Sequence, residues 1–148
     1  MSKIRFRGCP RNGLSSESLS KALLAELLRV EETRVRIRKA ASGKPFLTSP
    51  KDYSFSISHS NDFFALAVVS KPANIGIDIE KVRVVKFIKI AERFFNNEDL
   101  NRIYRAGSRR DQLRKFFEIW TIKEACVKCI GTGMFKDVKN IRIKSARL

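Results

Sequence analysis

Along this chain the spacing of apolar positions changes from segment to segment, and the spacing predicts the elements. Residues Ser18 to Val30 read SLSKALLAELLRV, with Leu19, Ala22, Leu23, Leu27 and Val30 recurring at helical intervals. Ser15, Ser16 or Ser18 would cap this helix, and Glu17 suits the positive end of its dipole. Arg34 to Arg38 alternates charged with β-branched residues, the pattern of a half-exposed strand, and a loop follows at Ala41 to Pro45. Tyr53 to Ser58 alternates strictly and predicts a second strand. After a polar turn at His59 to Asp62, Phe63 to Val69 reads as a buried strand hairpinned to it. A turn at Lys71 to Asn74 then leads into a further strand at Ile75 to Ile79.

The second half is more helical. Val84 to Phe95 carries an apolar face at Val84, Phe87, Ile88, Ala91 and Phe95. Asn96 to Asp99 caps a shorter helix around Leu100 to Tyr104. Arg109 to Ile130 is the longest helical stretch, and Gly131 and Gly133 tolerate the positive φ that ends it. Val138 to Lys144 returns to strand alternation. Helix followed by basic strand thus occurs twice, ending in Val35 to Arg38 and in Ile141 to Lys144, a weak internal echo.

Composition narrows the class. The 148 residues, 43% hydrophobic, suit one ordinary domain with its own core. No apolar run approaches the ~20 residues that span a bilayer, and the start lacks a signal peptide's apolar stretch. Three cysteines are too few and too uneven for a disulfide scaffold, so a reducing, cytoplasmic setting is expected. Thirty-one Lys and Arg against fifteen Asp and Glu leave a formal charge of +16. Such a chain attracts polyanions: nucleic acid, anionic membrane, phosphorylated cofactors or acidic proteins.

Candidate chemistry begins at Asp78 and Glu80, which a strand would place on one face, with Ile77 and Ile79 on the other. Two carboxylates ~4 Å apart at an effective dielectric of ~20 repel by about 4 kcal/mol. They either flare into solvent beside Lys81 and Arg83 or share a cation such as Mg²⁺. From Phe116 to Ile130 the only charges are Glu118, Lys123, Glu124 and Lys128, in a segment otherwise apolar nearly all round. Such a helix is buried, so its charges need partners. Glu124 and Lys128 can form an ordinary i,i+4 ion pair; equally, Glu124 can serve as metal ligand or general base, with the lysines reaching a phosphate. His59 is the only histidine, so a structural zinc site is not expected. Cys126 and Cys129 lie mid-helix among apolar neighbours and read as core thiols rather than a redox pair.

Taken in order, Gly43-Lys-Pro45, Phe55-Ser-Ile-Ser-His-Ser60, Ile75-Gly-Ile-Asp-Ile-Glu-Lys81, Ala91-Glu-Arg-Phe-Phe95 and Trp120-Thr-Ile-Lys-Glu-Ala-Cys-Val-Lys128 resemble the phosphopantetheinyl transferase superfamily. The Ser-His pair ahead of the G-I-D-I-E segment is similar to the Sfp type. The resemblance covers roughly residues 18 to 144. It implies an α+β fold, an antiparallel sheet packed against a long helix, as an incomplete two-half pseudo-dimer in one domain. The shortened N-terminal half would span about 1–72 and the C-terminal half about 73–148. Sfp-type chains are longer: the first half here is expected to begin near Ser18 without an opening strand and helix. The strands that usually follow Ile143 are also missing from the pattern. The exposed edges this leaves point to a homo-oligomer.

The resemblance also implies an activity, the transfer of 4'-phosphopantetheine from coenzyme A to a serine of an acyl or peptidyl carrier protein, as in fatty acid biosynthesis. Adenosine 3',5'-bisphosphate would be released. Asp78, Glu80 and Glu124 would hold Mg²⁺ against the pyrophosphate; Glu124 would be the general base and Lys128 a phosphate contact. Gly43, Lys44 and Pro45 would receive the nucleotide end, with Ser58, His59 and Lys123 among the coenzyme A contacts and Lys21 a loose candidate for the 3'-phosphate. Trp120, Phe94 and Phe95 read as packing. Carrier proteins are typically acidic, which gives the +16 balance a partner without nucleic acid or membrane. Two other readings stand beside this one: an inactive relative that binds coenzyme A or a carrier, and a basic nucleic-acid-binding module.

Overall fold

The computed structural model describes residues 3–131 and 135–144. Gly133, expected at the end of the long helix, lies outside them. The chain is α+β with antiparallel sheets, as expected; among the described residues there are two sheets and four α-helices.

The larger sheet has the order β1-β5-β4, with β1 at Arg5–Pro10, β4 at Tyr53–Ser60 and β5 at Phe63–Ser70. β5 is central because it can afford no polar face: everything from Phe64 to Val69 is buried. The hairpin turn is tighter than predicted. β4 runs on through His59 and Ser60, and Asn61, at φ 52°, takes the left-handed corner. One face of the sheet carries Phe55, Phe64, Leu66 and Val68 against α1, Ser16–Leu28, which contributes Leu19, Leu23, Leu24 and Leu28 to the same core. Ser15 caps α1, its side chain accepting from the Ser18 amide at 3.1 Å. The smaller sheet is the hairpin of β2, Arg36–Lys39, and β3, Pro45–Ser49.

The sequence pattern missed β1 and β3. An opening strand does therefore precede α1, contrary to the expectation that the first half lacks one. β1 opens Arg5, Phe6, Arg7 with both Phe6 and Arg7 exposed, so the usual inward-apolar signal is absent.

A second core belongs to the helices α2 (Phe87–Phe94), α3 (Asn97–Tyr104) and α4 (Arg109–Ile130). Ser108 and Asp111 form a reciprocal capping box at the start of α4, and Gly131, at φ 82°, ends it. Phe87, Phe95 and Phe116 stack there with Trp120. The helix predicted from Val84 begins only at Phe87; Val84 stands outside it, 95% exposed.

Two predicted strands are not strands. Val138 to Lys144 begins in a 3-10 helix, Phe135–Asn140, and continues without regular structure, so the internal echo has no structural counterpart. Lys123 and Arg102 take the carbonyls of Val138, Ile141 and Ile143, and Asn96 takes that of Ile141, leaving no ladder to join. Residues 74–81 likewise join no sheet. Instead, alternate serines of β4 hold them: the hydroxyls of Ser56, Ser58 and Ser60 accept from the amides of Ile77, Ile79 and Lys81 at 3.2, 3.3 and 2.9 Å. The period of two survives, carried by side chains instead of backbone. α4 lies across the other side of this segment, where a Cβ on Gly76 would stand 1.9 Å from the Ala125 carbonyl oxygen and 2.6 Å from the Cys129 amide nitrogen.

Gly76→Ala should therefore push the segment off α4. Overpacking of this kind costs about 1–3 kcal/mol, to be read as a lower denaturant midpoint at unchanged slope. A variant as stable as the parent would mean that the approach at Gly76 is not a constraint.

Candidate functional site

β4 is an edge strand, so residues from both of its faces can line one opening. An open cleft of about 660 Å³ runs along that edge, and Ile57 and His59 reach it from one face and Ser58 from the other. The clamped segment brings Asp78 and Glu80 to the same cleft, and α4 brings Trp120, Glu124 and Lys128. Gly43 and Pro45, at the turn of the β2–β3 hairpin, close the other side.

At the centre, Lys128 does not pair with Glu124, four residues earlier on its own helix. Its Nζ lies 2.6 Å from Oδ1 of Asp78 and donates to Ser58 Oγ at 3.0 Å. The Ser58 hydroxyl donates in turn to Asp78 Oδ1 at 2.8 Å and accepts from the Ile79 amide, so its hydrogen-bonding capacity is used in full. The Asp78 side chain is 6% exposed, and its Oδ2 is buried without a hydrogen-bond partner. A buried carboxylate oxygen left open in this way is costly unless something cationic meets it. Burial raises the carboxyl of Glu124 above the usual carboxylate range; Asp78 raises it further, Lys128 opposes, and Glu80 adds to the rise. Glu80 is held near the surface by Arg83 at 3.8 Å.

Asp78, Glu80 and Glu124 are hard oxygen donors around one opening, the donor chemistry that suits a small divalent cation. The open Oδ2 of Asp78 fits such a group. Among the described residues, however, no three His, Cys, Asp or Glu side chains converge closely enough to hold an ion as they stand.

The other expected residues separate. His59 is exposed and lines the cleft. Lys44 turns away from it, its Nζ donating to the Cys129 carbonyl at 3.1 Å, where a cation suits the C-terminal end of α4. Lys123 is not a cleft residue. It is fully buried in the helical core, 2.8 Å from Asp99 Oδ2, and donates to the carbonyls of Val138 and Ile141 at 2.8 and 2.6 Å. Trp120 does more than pack: it stacks on Phe116 and also lines the cleft. Cys126 and Cys129 are free thiols, partly rather than fully buried.

The pattern reading missed Arg38 and Lys39 of β2, and Ser16 and Ser20 of α1, all of which line the cleft. The signal for the serine clamp was present: Ser54, Ser56, Ser58 and Ser60 put one polar stripe on a strand that otherwise packs apolar side chains.

Residues 74–147 match the family model described as the 4'-phosphopantetheinyl transferase superfamily, and residues 1–71 match the one described as 4'-phosphopantetheinyl transferase, N-terminal. The chain is 35% identical over 130 residues to the 4'-phosphopantetheinyl transferase gsp of Aneurinibacillus migulanus, covering 88% of this chain and 52% of that protein. To the 4'-phosphopantetheinyl transferase psf-1 of Bacillus pumilus it is 30% identical, over 89% of this chain and 55% of the relative. To the human L-aminoadipate-semialdehyde dehydrogenase-phosphopantetheinyl transferase it is 29% identical, over 86% and 45%. The chain spans about half the length of these curated relatives. It belongs to the 4'-phosphopantetheinyl transferase superfamily.

The placement of Lys123 carries a test. Lys123→Met leaves Asp99 charged and buried alone, which costs about 3–5 kcal/mol. Pairing it with Asp99→Leu should recover most of that loss in thermal or chemical unfolding. A Lys123→Met protein of parental stability, weakened only in ligand binding, would return this lysine to the cleft.

Proposed function

We infer that this chain transfers 4'-phosphopantetheine from coenzyme A to a serine hydroxyl of an acidic acyl or peptidyl carrier protein. The observation that carries the reading is the convergence of Asp78, Glu80, Glu124, Lys128 and Ser58 on one cleft, in a chain of this superfamily. In the reaction the serine oxygen forms a bond to the phosphorus bearing the pantetheine. The bond from that phosphorus to the bridging pyrophosphate oxygen breaks, and adenosine 3',5'-bisphosphate leaves. Glu124 takes the serine proton; its half-buried carboxyl, raised by burial and by Asp78, is a better base than an exposed glutamate. Lys128, fixed between Asp78 and Ser58, offers its remaining donor to a phosphoryl oxygen as negative charge builds there. Gly43, Pro45 and His59 line the cleft where the nucleotide end would run. Asp78, Glu80 and Glu124 would hold Mg²⁺, which when bound neutralises pyrophosphate charge.

No helix among the described residues is long and apolar enough to cross a membrane. The free thiols suit a reducing, cytoplasmic setting. Self-association belongs to the same proposal, supported by Ile4, Phe6 and Phe63, which are 65%, 70% and 50% exposed. A monomer by light scattering at micromolar concentration would remove it. Because no three acidic side chains among the described residues converge closely enough to hold an ion as they stand, a form that binds coenzyme A without turnover is the second reading.

Intact-mass spectrometry of an apo carrier protein, incubated with this chain, coenzyme A and Mg²⁺, decides between them. The expected result is a gain of one phosphopantetheine, abolished by EDTA and, with the fold kept, by Asp78→Ala or Glu124→Gln. Coenzyme A binding without any mass gain across several carriers would establish the second reading, and wild-type rates in either variant would refute the site.

Protons and Mg²⁺ compete for Glu124. As pH falls through its raised value the carboxylate is protonated and lost as a donor, so calorimetric Mg²⁺ affinity should drop on acidification and recover on raising the pH. The transition should lie above the ordinary carboxylate range and vanish in Glu124→Gln. An affinity flat across that range would exclude Glu124 from the ligand set.

A further inference from the structure

Lys44 stands between two residues that line the main cleft and does not line it itself. Gly43 and Pro45 face the cleft, while Lys44 faces a smaller cavity of about 240 Å³ between the hairpin turn and the end of α4. The two cavities share Pro45, Ile57, Glu124 and Lys128, so the smaller one adjoins the cleft. The turn that carries Lys44 is closed by backbone. The Gly43 amide donates to the Ala40 carbonyl at 2.8 Å and the Ala40 amide to the Lys44 carbonyl at 2.9 Å, with Gly43 at φ 81°. Pro45 disfavours the helical region for the residue before it, which further narrows the backbone of Lys44.

From this turn the side chain crosses to the far end of α4. Its Nζ donates to the Cys129 carbonyl at 3.1 Å. That carbonyl lies in the last turn, where carbonyls lack an amide partner within the helix and a cation meets the negative end of the dipole. Gly131, which ends the helix at φ 82°, leaves room for the lysine: a Cβ there would stand 3.3 Å from Lys44 Cδ and 3.4 Å from its Nζ. Among the described residues no strand pairing joins the β2–β3 hairpin to the larger sheet. Side chains therefore set where the hairpin turn stands against α4. Lys128 directly precedes Cys129, and Glu124 lies one turn before Lys128. The carbonyl that Lys44 holds thus belongs to the part of the helix that carries the reacting groups.

We propose that Lys44 is a positioning residue for donor binding. It ties the hairpin turn to the end of α4, and so holds Gly43 and Pro45 at the spacing from Glu124 and Lys128 that a bound coenzyme A spans. The proposal rests on the coenzyme A reading of the main cleft. It differs from the role that the resemblance implies, in which Lys44 receives the nucleotide: the ammonium acts through the helix, without touching the ligand.

The test compares two variants of the full chain on two ligands, by calorimetry with Mg²⁺. Lys44→Met keeps an unbranched stem and loses the ammonium, whereas Lys44→Arg keeps a cationic donor. Adenosine 3',5'-bisphosphate supplies the nucleotide end alone, and coenzyme A spans both walls. Lys44→Met should bind the bisphosphate within about twofold of wild type and coenzyme A about tenfold more weakly, the scale of one hydrogen bond from a charged group. Lys44→Arg should recover most of that loss. Equal weakening of both ligands in Lys44→Met would make the ammonium a nucleotide contact and overturn the proposal. Unchanged coenzyme A affinity in Lys44→Met would overturn it as well, and so would a loss that Lys44→Arg fails to recover. Binding of neither ligand by wild type would instead overturn the coenzyme A reading, and this one with it.

Discussion

The cleft depends on how closely the backbone at Gly76 lies against α4. With no Cβ, Gly76 lets residues 74–81 pass between the helix and the serine face of β4, where any side chain would meet the Ala125 carbonyl. The helix covers the segment from one side, and three serine hydroxyls accept its alternate amides from the other. Those hydroxyls leave the segment's backbone satisfied without making it a strand of the sheet. The chain therefore presents Asp78 and Glu80 from a segment held by side chains on one side and by α4 on the other. The β-sheet core and the helical core are separate clusters, and the carboxylates sit where this shared segment joins them.

The electrostatics follow from that placement. Bringing Asp78 and Glu80 beside Glu124 raises the Glu124 carboxyl through burial and like charge, and Lys128 answers only part of it. Lys128 does not answer Glu124 along the helix with an ordinary i,i+4 ion pair. Instead it crosses to Asp78, which uses up Oδ1 and leaves Oδ2 open. The unfilled demand for positive charge is thereby left on Asp78 Oδ2, buried and without a hydrogen-bond partner.

Much of this was legible in the chain. Helices α1, α3 and α4 and the β4–β5 hairpin followed from periodicity and caps, because in each the local pattern and the tertiary packing agree. Residues 75–79 and 138–144 both alternate, and alternation predicts strands. Alternation reports an extended backbone with two faces and is silent on what takes the hydrogen bonds. In the first case serines take them, in the second Lys123, Asn96 and Arg102. The site residues were legible where they belong to a motif with fixed spacing, as Asp78, Glu80, Glu124 and Lys128 do. The direction of Lys123 was not, since a lysine on a helix apolar all round can be buried only if a carboxylate from elsewhere meets it. Asp99, on α3, is that carboxylate, and nothing within α4 points to it.

The excess of positive charge also divides in a way that composition conceals. Lys44, Lys123 and Lys128 are engaged, on a helix end, in the helical core and on Asp78. Of these, Lys123 and Lys128 meet carboxylates and are neutralised within the fold, whereas Lys44 meets only a carbonyl and keeps its charge. What remains for a ligand is the exposed remainder, and around the β2–β3 hairpin that remainder encloses a cavity with no carboxylate in its wall. The main cleft carries the opposite sign at Asp78, Glu80 and Glu124. A nucleic-acid backbone, negative at every repeat, would be attracted at the hairpin and repelled at the carboxylates. The net charge of +16 is therefore unevenly laid out: the exposed cations set the field around the chain, while the main cleft keeps its carboxylates.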